Sequence, residues 1–146
     1  MILRILHWLS RGILAGIFLY TGFHKIFPRG EATFNFAIVL SGYKLFPENI
    51  VWYIAEYFPW IEIALAVFLL MGWKIRYVAG AATGLMLFFL TILAITYARG
   101  IDANCGCFSF NDKISPLTIA RDGIIIFPAL YLLAEPLLRE RLKSKN

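Results

Sequence analysis

The chain has 146 residues, of which 60% are hydrophobic and only 16% charged, with a formal net charge of +5. Soluble domains carry about a quarter charged residues, so this composition excludes a soluble globular protein and fits an integral membrane protein with one domain. The positive excess needs no nucleic acid, because membrane proteins gather Lys and Arg at their cytoplasmic ends.

A bilayer core of about 30 Å requires roughly 20 apolar residues per helix. Four segments meet that length, at about 5–27, 50–71, 77–97 and 116–138, and they predict an all-α membrane four-helix bundle. The first carries Arg11 internally and His24 and Lys25 at its end. Arg11 interrupts the apolar run, and no small-residue cleavage site follows, so the segment reads as a retained span rather than a signal peptide. The second holds Glu56, Pro59 and Glu62. Trp52, Tyr53, Tyr57, Phe58 and Trp60 cluster at its outer end, which an interfacial belt explains fully, a surface for a flat cofactor being the alternative. The third carries no charge. The fourth opens on Ser115-Pro116, an N-cap followed by proline at the first helical position, and contains Arg121, Asp122, Pro128 and Glu135. Gly12/Gly16 and Gly80/Gly84 are spaced for close helix packing.

With four spans the termini share a side with the 72–76 turn. That side carries seven Lys and Arg (Arg4, Lys74, Arg76, Arg139, Arg141, Lys143, Lys145), and the opposite loops carry four (Arg29, Lys44, Arg99, Lys113). The positive-inside rule therefore predicts both termini in the cytoplasm and the 98–115 loop outside.

That loop holds the chain's two cysteines, in Asn104-Cys105-Gly106-Cys107-Phe108. Closing a ring over one residue restricts the unfolded chain very little, so a stapling disulfide is a poor account. Strained, accessible disulfides are the labile or catalytic ones, and Gly106 can adopt the backbone angles a short bridge requires. Two thiolates supply half of a tetrahedral metal site; His24 and Asp102 would have to complete it, nothing in the spacing compels that, and no metal site is assigned. Depth counting at 1.5 Å per residue puts His24, Lys25, Glu56, Glu62, Arg99, Arg121 and Asp122 in the same half of the bilayer as the thiols, where charges are functional candidates. A carboxylate as deep as Glu62 must be protonated, paired or hydrated, and pairing with Lys25 or Arg121 is the preferred account. Arg11, in the inner half, is placed against Glu135. Asp122 suits the first turns of its helix electrostatically.

These features resemble the methylamine-utilisation MauE family within the DoxX-like group of small four-helix membrane proteins. The resemblance lies in Arg11-Gly12, Gly22-Phe23-His24-Lys25, Pro59-Trp60-Ile61-Glu62 and the Gly100–Phe108 stretch ending Cys-Gly-Cys-Phe. Ser109 stands where the family commonly has glycine. The resemblance implies a role in maturation of disulfide-rich methylamine dehydrogenase beside a thioredoxin-like partner, in a bacterial inner membrane. The resulting expectation is a thiol–disulfide oxidoreductase with Cys105 and Cys107 as the reacting groups. Lys25, Arg99 and Arg121 would favour thiolate, with Glu62 and His24 in support. A quinone is the electron acceptor this reading invokes, by analogy with other four-helix disulfide-generating membrane enzymes. The alternatives are a non-catalytic anchor or chaperone subunit for a redox partner, or a small-solute or metal transporter.

Overall fold

A computed structural model describes residues 1–108 and 110–145; Ser109, at the departure from the family pattern, lies outside the described residues. The described residues fold into five α-helices: α1 (Ile2–Ile26), α2 (Glu31–Gly42), α3 (Glu48–Met71), α4 (Ile75–Ala98) and α5 (Pro116–Ser144). Four of them, α1, α3, α4 and α5, are long and apolar enough to cross a membrane. The fifth corrects the expected four-helix bundle. α2 has 12 residues, about 18 Å at 1.5 Å per residue, too short for a bilayer core. It folds back from the end of α1 and packs on α3 and α1.

The helix boundaries follow local chemistry. Ser115 Oγ accepts the backbone N–H of Thr118 at 3.2 Å, and Pro116 takes the first position of α5, where its missing N–H costs nothing. α3 stops at Gly72, which is left-handed at φ 73° and returns its N–H to Phe68. Arg11 then serves the end of α3, not Glu135. Its Nε and Nη2 donate to the carbonyls of Leu69 and Leu70, both at 2.9 Å, where the helix leaves acceptors unsatisfied. Glu135 is buried with His7 and Arg139 as its partners.

The interior holds two apolar clusters. One, built from residues such as Leu14, Phe18, Leu69 and Leu132, joins α1, α3, α4 and α5. The other lies under α2 and the α4–α5 loop and includes Phe36, Tyr43, Phe58, Phe89 and Cys105 itself. Leu85 packs against both. The large apolar side chains left exposed, Trp52, Tyr53, Tyr57 and Trp60 among them, form the outer surface of the bundle, as lipid-facing residues do. The tight helix contact falls at Gly22, not at the anticipated glycine pairs. A Cβ there would meet Pro59 O at 3.0 Å and Ile63 Cγ1 at 2.8 Å, whereas Gly12, Gly16 and Gly84 have open space and Gly80 only an ordinary contact.

Candidate functional site

The α4–α5 loop is a small fold-back. Asn104 and Lys113 form an antiparallel bridge. The N–H of Cys105 donates to Asp112 O at 2.6 Å, and that of Ile114 to Ala103 O at 3.0 Å. α2 fixes the loop from beneath: the buried Tyr43 hydroxyl donates to Cys105 O at 2.5 Å. Burial, followed by the negative charge of the neighbouring thiolates and Asp122, pushes the Tyr43 pKa up, so the phenol remains a neutral donor.

Gly106 is required twice over. Its φ is +70°, a region that costs other residues about 1–2 kcal/mol, and a Cβ would lie 2.7 Å from Val39 Cγ1. Gly106→Ala is therefore expected to loosen the loop by at least about 1 kcal/mol, roughly a fivefold larger open population. The check is the rate at which Cys105 is alkylated in otherwise native protein, which rises.

Both cysteines are free thiols in unlike surroundings. Cys105 is fully buried and Cys107 half-buried. The thiols share a hydrogen bond that lowers the Cys105 pKa below the ordinary thiol value. The same bond, with burial second, raises Cys107 well above it. The two sulfurs titrate as one coupled pair, with the first thiolate favoured at Cys105. Cys105 Sγ also lies 3.5 Å from Asp122 Oδ2. The Cys105 and Cys107 sulfurs and an Asp122 oxygen all fall within 4.8 Å of one another.

Below the thiols is a cavity of about 70 Å³, room for a few waters. Cys107, Phe108 and Asp122 line it together with Lys25, Glu62 and Thr21, and Phe18, Leu85 and Phe89 are among its apolar walls. Lys25 and Glu62 form a buried ion pair: Nζ donates to both carboxylate oxygens at 2.9 and 3.0 Å. Phe36, Phe58 and Phe89 present ring faces to Nζ at 4.8, 5.1 and 5.6 Å, so aromatic quadrupoles replace part of the ammonium's lost hydration. The Lys25 charge reaches Cys107, where it works against the upward shift.

The other anticipated residues are placed as follows. Arg121 is the partner of Asp122, Nε to Oδ1 at 3.1 Å, and not of Glu62; it also approaches Asp112 at 3.7 Å and lies over the Phe108 ring at 4.5 Å. His24 stacks between Tyr20 and Phe110, at centroid distances of 6.0 and 5.1 Å, bracing the loop against α1. Arg99 is exposed at the end of α4, with no ion pair among the described residues. Asp102 is exposed and pairs with Lys113 at 3.5 Å. Tyr43 escapes a reading along the chain, and Asp122 is placed by that reading in the thiols' half of the bilayer but not against a thiol. Tyr43 caps the C-terminal end of the unanticipated helix, and Asp122 meets the thiol only because the loop folds back over α5. An ionisable residue on the buried face of an apolar helix was the available signal for Asp122.

The fold and site define a helical protein with four candidate membrane spans and a close thiol pair seated over a bundle cavity. Residues 3–135 match the family described as methylamine utilisation protein MauE, and the chain belongs to that family. It is 35% identical to the methylamine utilization protein MauE of Methylorubrum extorquens over 106 residues, 70% of this chain and 55% of that protein. To the protein of the same name from Methylophilus methylotrophus it is 28% identical over 114 residues, 75% of this chain and 60% of that one. The chain thus spans somewhat over half the length of these relatives. No solved structure matches it.

Proposed function

We propose that the protein exchanges disulfides with an extracytoplasmic thioredoxin-like or disulfide-rich partner, in the setting of methylamine dehydrogenase maturation that its family membership suggests. The observation that carries this reading is the inequality of the two cysteines: Cys107 is partly exposed, while Cys105 is fully buried and the better-stabilised thiolate.

In the oxidising direction the Cys105–Cys107 disulfide is attacked at Cys107 by a partner thiolate. The S–S bond breaks, Cys105 leaves as thiolate, and a mixed disulfide joins Cys107 to the partner. A second partner thiolate attacks its own mixed-disulfide sulfur and releases Cys107. The partner has lost two electrons and two protons, and the pair has become a dithiol. A low-pKa leaving thiol speeds the first step, which favours attack at Cys107 over attack at Cys105. Return to the disulfide requires an acceptor of two electrons and two protons, chemistry that a quinone would supply. Asp122, 3.5 Å from Cys105 Sγ, is the group placed to take the proton from that thiol.

The excess of Lys and Arg at the terminal side supports the orientation this scheme needs, with the termini in the cytoplasm and the dithiol loop outside. The test is the reduction potential of the Cys105–Cys107 couple in membranes, with and without quinone. A two-electron couple is expected, with the reduced form oxidised on addition of quinone. A pair that never forms a disulfide ends the redox reading in favour of a non-catalytic anchor for a redox partner.

A further inference from the structure

The reduced site has the makings of a metal centre that spacing along the chain does not display. Two thiol sulfurs and one carboxylate oxygen lie within 4.8 Å of one another on a loop and a helix that hold them in place. With metal–sulfur and metal–oxygen bonds of about 2.3 and 2.0 Å, a tetrahedral ion separates its sulfur and oxygen ligands by about 3.5 Å. Cys105 Sγ and Asp122 Oδ2 are already 3.5 Å apart.

The carboxylate is presented correctly. Arg121 Nε holds Asp122 Oδ1 at 3.1 Å, leaving Oδ2 turned to the sulfur, the kind of outer contact that orients ligands in metal sites. A donor set of two thiolates and one carboxylate is too soft for Mg²⁺ or Ca²⁺ and less soft than the all-sulfur sets suited to Cu(I). The cavity lined by Cys107 and Asp122 leaves room for water at a fourth position. Three anionic ligands balance a divalent ion and the Arg121 guanidinium.

We infer that the reduced protein binds one Zn²⁺ through Cys105, Cys107 and Asp122, with water in the fourth position. Binding releases the two thiol protons and breaks no covalent bond, and it needs both sulfurs reduced. Metal and disulfide therefore exclude each other, and a bound ion shields the dithiol from oxidation. This inference stands whether or not the pair exchanges disulfides with a partner.

The experiment titrates full-length protein in lipid nanodiscs, reduced with a phosphine, first with Co²⁺ as a spectroscopic probe and then with Zn²⁺ in competition. One ion per chain is expected, with a thiolate-to-cobalt charge-transfer band that Zn²⁺ removes. Cys105→Ser and Cys107→Ser should each lose the band. Asp122→Asn should weaken binding by about tenfold or more, and Asp102→Asn should change nothing. Wild-type protein alkylated at both thiols tests the site without relying on a variant to fold, and it should bind no ion. Absence of the band in reduced wild-type protein overturns the inference. So does Zn²⁺ binding that survives alkylation, or affinity unchanged in a folded Asp122→Asn protein.

Discussion

Cys105→Ser is expected to accumulate a mixed disulfide between Cys107 and a thioredoxin-like partner, and Cys107→Ser is expected to accumulate none. Cys107 is the partly exposed cysteine of the two, while Cys105 is fully buried within the loop, its carbonyl tied to Tyr43 and its N–H to Asp112. In the wild-type protein the Cys105 thiolate attacks the mixed disulfide and expels the partner. Serine at 105 removes both the internal disulfide and that return step. The adduct, formed by attack of Cys107 on the disulfide of an oxidised partner, is then released only by the partner's second thiolate and persists once acid protonates that thiolate. Exchange turnover should fall by roughly a thousandfold or more in either variant, because the two sulfurs act as a unit and losing one costs nearly as much as losing both. Acid quenching followed by non-reducing electrophoresis and mass spectrometry of the cross-linked peptide reads the result. An adduct on Cys107→Ser protein would reverse the assigned roles. Partner assembly that is intact in the double serine variant would instead identify a non-catalytic anchor.

How far this asymmetry was legible in the sequence depends on the level considered. The apolar runs reveal the four candidate spans, because bilayer thickness sets helix length and nothing else in the fold competes with it. The thiol pair is visible as a motif, but its two sulfurs look equivalent there. Their difference comes from the 103–114 fold-back and from α2, and α2 is hard to see. Its 12 residues lie between Pro28 and Pro47 with no clear polar face and fall short of spanning length, so along the chain they resemble an apolar loop. Depth counting brought Glu62 to the level of Lys25 and Arg121 alike. Only the packing of α1 on α3 at Gly22 and Pro59 brings Lys25 to the carboxylate. Arg121 and Asp122 can be placed in the thiols' half of the bilayer but not told from ordinary first-turn residues, because the contact that gives Asp122 its chemistry comes from the loop and not from its own helix.

The buried Lys25–Glu62 pair permits a separation of stability from chemistry. Lys25→Met leaves the Glu62 carboxylate without its bidentate partner, and Glu62→Gln leaves the ammonium with only aromatic faces and one neutral amide. Each single variant is expected to lose about 3–5 kcal/mol, the usual consequence of orphaning one member of a buried ion pair. The double variant Lys25→Met/Glu62→Met should recover most of that loss, since two apolar side chains of similar volume require no mutual compensation. Thermal unfolding in nanodiscs tests the pattern, and a double variant as unstable as the singles would refute it. A scaffold role predicts that the recovered protein also regains its thiol chemistry. The geometry predicts otherwise. Lys25 shares the cavity with Cys107, and its charge favours the Cys107 thiolate. Removing it raises the Cys107 pKa further, so at a fixed pH below that value less thiolate is present and alkylation of Cys107 slows. In the double variant the pH profile of Cys107 alkylation should move to higher pH while folding stays intact. An unmoved profile would return the pair to the scaffold, and a moved one would show that Lys25 reaches the sulfur through the cavity from the interior of the bundle.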